Sequence, residues 1–151
     1  MNEEKIIWKG NPSYVINLTM DIISIFAVFA ILFFNVPNYF VILPILFMIW
    51  NFLSVATTRY QLSTERLRTS FGILNKRIDE LELYRVKDYR IEQPLFLRMF
   101  SLGNIVLETS DKSNPILILK AVPNAIMLLD TIRKNVEERR SSKSIREIDI
   151  N

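Results

Sequence analysis

Neither cysteine nor histidine occurs in these 151 residues, and glycine occurs only three times. The missing cysteine excludes disulfides, thiolate metal sites and thiol nucleophiles. The missing histidine removes the commonest general base and the commonest metal ligand. Gly10, Gly72 and Gly103 lie far apart, so there is no phosphate-cradling glycine loop, no Gly-x-Ser-x-Gly and no dinucleotide fingerprint. Charge is scarce in one long stretch: between Ile16 and Val55 the only formal charge is Asp21.

The chemistry left is carboxylate, hydroxyl and cationic. Asp79, Glu80 and Glu82 form the densest acidic set, and on a strand Glu80 and Glu82 share a face. Such a pair can hold a divalent cation or act as acid and base. Its regular alternation with Leu81 and Leu83 reads more simply as the solvated face of a strand. The sequence therefore predicts no catalytic residue, no metal site and no cofactor: a protein that is not an enzyme.

What is present in abundance is apolar sequence. The runs Ile16–Phe34 and Tyr39–Val55 hold 19 and 17 residues. At about 1.5 Å per helical residue each spans roughly 25–30 Å, the thickness of a bilayer's hydrocarbon core. Asn35-Val36-Pro37-Asn38 between them is a turn-forming cluster that allows only an antiparallel reversal. A signal peptide would carry a basic start and a small-residue cleavage site, whereas this chain starts Asn2-Glu3-Glu4-Lys5. A soluble helical hairpin would show a polar stripe, and Phe26–Phe34 has none. Residues 14–56 are predicted to form a transmembrane hairpin, with Pro44 kinking the second helix.

The flanks set its orientation. Lys5 and Lys9 precede the hairpin, Arg59, Arg66 and Arg68 follow it, and the turn is uncharged. Both termini are therefore expected in the cytoplasm of a multi-pass protein of the cell membrane. Asp21 and Asn51 each lie 15 residues from Val36, so an antiparallel pair sets them at similar depth. They are predicted to form an intramembrane polar pair, with Asp21 hydrogen-bonded to Asn51 or to a neighbouring chain, or wetted from the nearby interface, in preference to an ion relay.

Residues 1–13 read as a short cytoplasmic lead. After Val55 the pattern becomes short alternating runs: Arg59–Leu62, Arg66–Phe71, Ile73–Leu83 and Val86–Gln93. Leu67, Thr69 and Phe71 point inward in this reading. Leu95–Phe100 suggests one helical turn. Asn104–Ser110 and Pro115–Lys120 suggest a hairpin around Asp111–Asn114. The period then turns helical from Pro123, with Ile126, Leu129, Ile132 and Val136 as its apolar stripe. Six to seven strands and one amphipathic helix predict an antiparallel β-sandwich or barrel capped by a C-terminal α-helix over residues 57–140. The polar residues 141–151 are expected to be a disordered tail.

The collinear set Tyr60-Gln61-Leu62-Ser63-Thr64-Glu65-Arg66-Leu67, Gly72, Arg77, Arg85-Val86, Gln93, Leu97-Arg98, Gly103 and Val106 through Ser110 resembles the bacterial membrane-anchored pleckstrin-homology (PH)-like family, often called YdbS-like. The resemblance runs from about Ile7 to Arg140 and rests on the collinearity of its parts. One departure is Asp79-Glu80-Leu81-Glu82, more acidic than the valine-proline expected there. The resemblance implies a seven-stranded, helix-capped PH-like fold. It implies no particular activity, because PH folds carry lipid-binding, peptide-binding and scaffolding members.

From Thr57 onward 17 Lys and Arg stand against 13 Asp and Glu, a net +4 (17 − 13). That excess is modest beside the basic footprint expected of a dedicated nucleic-acid binder. Its concentration at Arg66, Arg68, Lys76 and Arg77, around the Phe71-Gly72 turn, marks the site for a lipid or a partner. Arg68 and Lys76 are expected to approach each other there. Two functions compete: a scaffold contacting other membrane proteins or copies of itself, and a binder of anionic lipid headgroups. A two-helix anchor is already effectively permanent, so lipid affinity is not needed for targeting, which favours the scaffold.

Overall fold

The computed structural model describes residues 4–112 and 114–148. Within them the order is β1 (Ile6–Gly10), α1 (Leu18–Phe33), α2 (Ile42–Thr57), β2 (Arg59–Ser63), β3 (Arg66–Phe71), β4 (Arg77–Glu82), β5 (Val86–Glu92), α3 (Leu95–Met99), β6 (Leu102–Thr109), β7 (Ile116–Pro123) and α4 (Ala125–Ile148). Short 3-10 segments, Tyr14–Asn17 and Asn38–Val41, lead into α1 and α2. β1-β2-β3-β4 form one antiparallel sheet and β5-β6-β7 another. Two N-terminal helices, two stacked sheets and a C-terminal helix make up the expected sandwich.

The chain before the helices is not a free lead. Residues 6–10 pair antiparallel with β2, Trp8 opposite Leu62 and Gly10 opposite Tyr60. The helical hairpin is thus an insertion between the first two strands of one sheet, and the sandwich includes residues on both sides of it. The sequence pattern hid this because Ile6-Ile7-Trp8 gains its meaning from an edge some fifty positions away. Residues 1–3 of the predicted lead, Ser113 of the predicted turn and residues 149–151 of the predicted tail lie outside the described residues.

The helices end for identifiable reasons. Asn35 takes the left-handed conformation (φ 51°) and Val36 N–H returns to the Ile31 carbonyl at 3.1 Å, an asparagine-closed helix end. Pro44 falls in the first turn of α2 rather than mid-helix. The expected kink becomes a change from 3-10 to α geometry at the start of the helix, where proline is tolerated.

The core joins both sheets to one face of α4. Leu62, Leu67, Leu81, Leu83, Val86, Ile105, Leu107, Leu119 and Val122 meet Ala125, Leu128, Ile132 and Val136, all buried. Ile126, expected in the stripe, is exposed, because Pro123 closes β7 and Asn124 (φ 50°) turns the chain before the helix begins at Ala125. Phe71, expected inward, is also exposed and lies beyond the covered part of the sheet. β4 is shorter than the predicted 73–83, since residues 72–76 form its turn. There Gly72 has φ 115°, and a Cβ would come within 2.0 Å of the Asn75 carbonyl oxygen.

α4 runs to Ile148, past residue 140 where a tail was expected. The segment contains no proline or glycine, and adding residues to an existing helix is cheap. Its far half is tied to the sandwich: Arg139 Nε donates to the Thr64 carbonyl at 3.0 Å and pairs with Glu65, and Arg140 donates to the Val86 carbonyl.

The sandwich has two distinct ends. At the hairpin end lie Gly10 and Arg59, the turn after Phe71, and the Leu102–Pro123 pair of the second sheet. At the far end lie the Ser63–Arg66 turn, the segment before β5 and the loop after Thr109.

Candidate functional site

Arg66 and Arg68 stand on the outer face of β3, alternating with buried Leu67 and Thr69. The ladder sets Arg68 opposite Glu80 and Arg66 opposite Glu82. Arg68 Nε lies 2.6 Å from Glu80 Oε1, and Arg66 Nη1 lies 2.9 Å from Glu80 Oε2. Arg66 Nε also meets Glu4 Oε1 at 3.1 Å. One carboxylate therefore binds two guanidiniums. The hydrogen bond from Arg66, then that from Arg68, holds the Glu80 carboxyl below its ordinary range, and Glu80 in turn raises Arg66.

Arg77 pairs with Asp79 (Nε to Oδ1, 2.9 Å), and its guanidinium lies over the Phe71 ring, 5.8 Å from the centroid. Lys76 sits in the turn, not on the strand. The expected approach of Arg68 and Lys76 is not made, because Phe71 and Arg77 already close the ladder and Arg68 faces Glu80. The acidic residues Asp79 and Glu80 are thus the electrostatic complement of the basic ones. Among the described residues no group of three or more acidic side chains is placed to hold a metal.

In the helical hairpin, Asn17 Nδ2 donates to the Asn51 carbonyl at 3.0 Å. Asp21 Oδ1 and Asn51 Nδ2 are buried and neither makes a hydrogen bond. The expected Asp21–Asn51 hydrogen bond is therefore not formed. Asn17, one turn before Asp21, makes the polar crossing, and it does so to the backbone of Asn51. Its spacing from Asp21 is the signal that marks it in the sequence. Ser24, Ser54 and Thr57 satisfy their hydroxyls on carbonyls four residues back in their own helices. Tyr14 stacks on Phe52 at 5.0 Å, bracing the start of the hairpin against its end.

A third cluster fastens the hairpin to the sandwich. β7 departs from regular pairing near Ala121 (φ 46°), which frees backbone groups for side chains. Lys120 N–H donates to the Tyr60 hydroxyl at 3.1 Å, and Ala121 N–H donates to Asn104 Oδ1 at 2.8 Å. The Ala121 carbonyl accepts from Ser13 N–H at 2.9 Å. Val15 and Ile16 pack on Leu97, Leu102 and Ala121. Burial raises the Tyr60 phenol above its ordinary range, partly offset by the Lys120 hydrogen bond. Glu4, Asn104 and Ser13 gain these roles only from partners distant in sequence.

A protein-family model described as "Bacterial PH domain" matches residues 15–136. No curated protein matches the chain. One solved structure is similar, the crystal structure of a DUF1696 family protein with a pleckstrin-homology domain from Shewanella loihica PV-4. It shares 12% identity at a TM-score of 0.44, over 54% of this chain and 73% of that one.

Proposed function

The chain belongs to the bacterial PH domain family, and from that premise we propose that it is a non-catalytic integral membrane protein. Its α1–α2 hairpin spans the cell membrane with both termini cytoplasmic. Its PH-like sandwich serves as a scaffold that contacts other membrane proteins or further copies of itself. The observation that carries this reading is the exposure of the hairpin. The helices Tyr14–Phe33 and Asn38–Thr57 are long and apolar enough to cross a bilayer, yet in an 18-residue stretch of each only 6% of the residues are buried. Helices of a soluble core would be covered by protein. Phe26, Phe29 and Phe33 of α1, and Phe47 and Trp50 of α2, are all exposed and call for an apolar solvent.

The headgroup-binding alternative draws less support from the geometry. Arg66, Arg68 and Arg77 are each paired with Glu4, Glu80 or Asp79, so an anionic headgroup would have to compete with carboxylates already in place. The non-catalytic reading is supported by the same pairing, which occupies the densest carboxylates, and by the lack of histidine and cysteine.

Affinity capture from mild detergent tests the scaffold, with the hairpin alone as control. Partners or copies retained by the full chain and lost by the hairpin are the expected result. Retention by the hairpin alone overturns it. Cysteines at Asn38 and Ser142 test the topology with an impermeant thiol reagent on intact cells. Labelling is expected at 38, and labelling at 142 instead would reverse the orientation.

A further inference from the structure

Outside the helical hairpin (residues 14–57), four large apolar side chains among the described residues are more than two-thirds exposed: Leu74 (89%), Leu95 (81%), Met99 (80%) and Met127 (71%). They come from three segments of the chain, and all lie at the hairpin end of the sandwich. Leu74 is in the turn joining β3 to β4, at the end where Arg59 of β2 pairs with Ser70. Leu95 and Met99 are on α3, whose Leu97 is buried against Leu102, Ala121 and the Val15–Ile16 start of the hairpin. Met127 is in the first turn of α4, just beyond the Pro123 that pairs with Leu102.

The connections leave this rim nowhere else to be. Three residues separate β1 from the Tyr14 turn, and their Ser13 is hydrogen-bonded to Ala121. Thr58 alone separates α2 from β2. Helices fastened so tightly hold the rim at the surface of whatever they cross. The rim's cations suit that surface: Lys76 neighbours Leu74 and Arg98 lies between Leu95 and Met99, and neither makes an ion pair with a described residue. The far end is different in kind, with Arg139–Glu65 and Arg85–Asp111 ion pairs.

Resting on the reading that the hairpin spans a bilayer, we infer that this rim is a lipid-interface seat. Leu74, Leu95, Met99 and Met127 enter the acyl boundary of the same membrane, and Lys76 and Arg98 reach its phosphates. The occupant is the bilayer surface continuous with the hairpin. The consequence is orientation: the sandwich stands upright on the membrane, with the outer face of β1–β4 and the Ser63–Arg66 end turned to the cytoplasm for partners.

The test uses the full chain, whose lack of cysteine permits single substitutions Leu74→Cys, Met99→Cys, Ile116→Cys and Phe29→Cys. Each is labelled with an environment-sensitive fluorophore and reconstituted into vesicles of mixed zwitterionic and anionic phospholipid carrying nitroxide-labelled acyl chains. Shallow nitroxides are expected to quench positions 74 and 99 several-fold more than 116, which lies at the far end. Deep nitroxides are expected to quench position 29. Quenching at 29 but not at 74 and 99 overturns the seat and leaves the hairpin reading intact, whereas no quenching at 29 overturns the hairpin reading itself. Blue-shifted but unquenched label at 74 and 99, growing with protein-to-lipid ratio, would mean that a second copy covers the rim.

Discussion

Gly10 stands opposite Tyr60 in the β1–β2 ladder, although the whole helical hairpin lies between them in the chain. The ladder closes the sandwich beneath the hairpin, and Trp8 folds its indole over Gly10. A Cβ at residue 10 would lie 2.3 Å from Trp8 Cζ2. Trp8 in turn packs on the core, so the strand before the helices is a structural part of the domain after them.

This arrangement predicts the behaviour of soluble fragments. Residues 57–140 alone leave the β2 edge unpaired and are expected to self-associate. Residues 4–10 joined by a short flexible turn to 58–140 should be monomeric and more stable in denaturant. Trp8→Ala in the joined form should cost about 2 kcal/mol, below the range for a fully buried Trp because Trp8 is only partly covered. Equal stability and mass for the two fragments would show that β1 contributes nothing.

The Glu80 cluster gives an acid-side dependence. The folded-state pKa of Glu80 is lowered, so its contribution is complete above the ordinary carboxylate value of 4.5 and is lost as pH falls through the folded value. The groups are exposed, so the effect belongs in the range of about 0–1 kcal/mol. Glu80→Gln should flatten the acid limb of stability against pH and leave stability above pH 7 lower by no more than that. An unchanged acid limb would show that the two arginines do not hold Glu80.

Tyr60 gives the opposite limb. Burial raises its folded-state pKa above 10.0, so the folded state is fully favoured below that value. Stability is lost as pH rises through the folded value, because the buried phenolate is disfavoured. Tyr60→Phe should abolish that alkaline loss. At neutral pH it should cost about 1–3 kcal/mol, since the Lys120 N–H loses its acceptor. Absorbance titration of the phenol and urea unfolding at alkaline pH provide the measurements.

In the hairpin the polar crossing belongs to Asn17, not to Asp21. Asn17→Ala should destabilise the helix pair by about 0.6 kcal/mol, the average for hydrogen bonds between membrane helices. Asp21→Leu should be neutral or stabilising, since it removes a buried oxygen that has no hydrogen-bond partner. Unfolding from mixed micelles measures both. Strong destabilisation by Asp21→Leu would mean that the carboxyl finds a partner in the membrane.

The sequence by itself determined the elements whose signal is local. Two charge-poor runs made α1 and α2, and alternation made the strands from β2 onward. The switch of period made α4, and the missing side-chain types bounded the chemistry. The four basic residues were also legible as a cluster, because they are close in sequence. Only the tertiary structure decided what depends on partners distant in the chain. It enlisted residues 6–10 as a strand, because an edge strand is defined by the neighbour it pairs with. It set Arg68 against Glu80 rather than Lys76, because register follows from where the Gly72 turn closes. It passed the hairpin's hydrogen bond to Asn17, because equal spacing from Val36 fixes depth along two helices but not the direction in which a side chain points. It gathered Leu74, Leu95, Met99 and Met127 at one end, because the two sheets stack with their hairpin-side ends together, an adjacency that no sequence periodicity encodes.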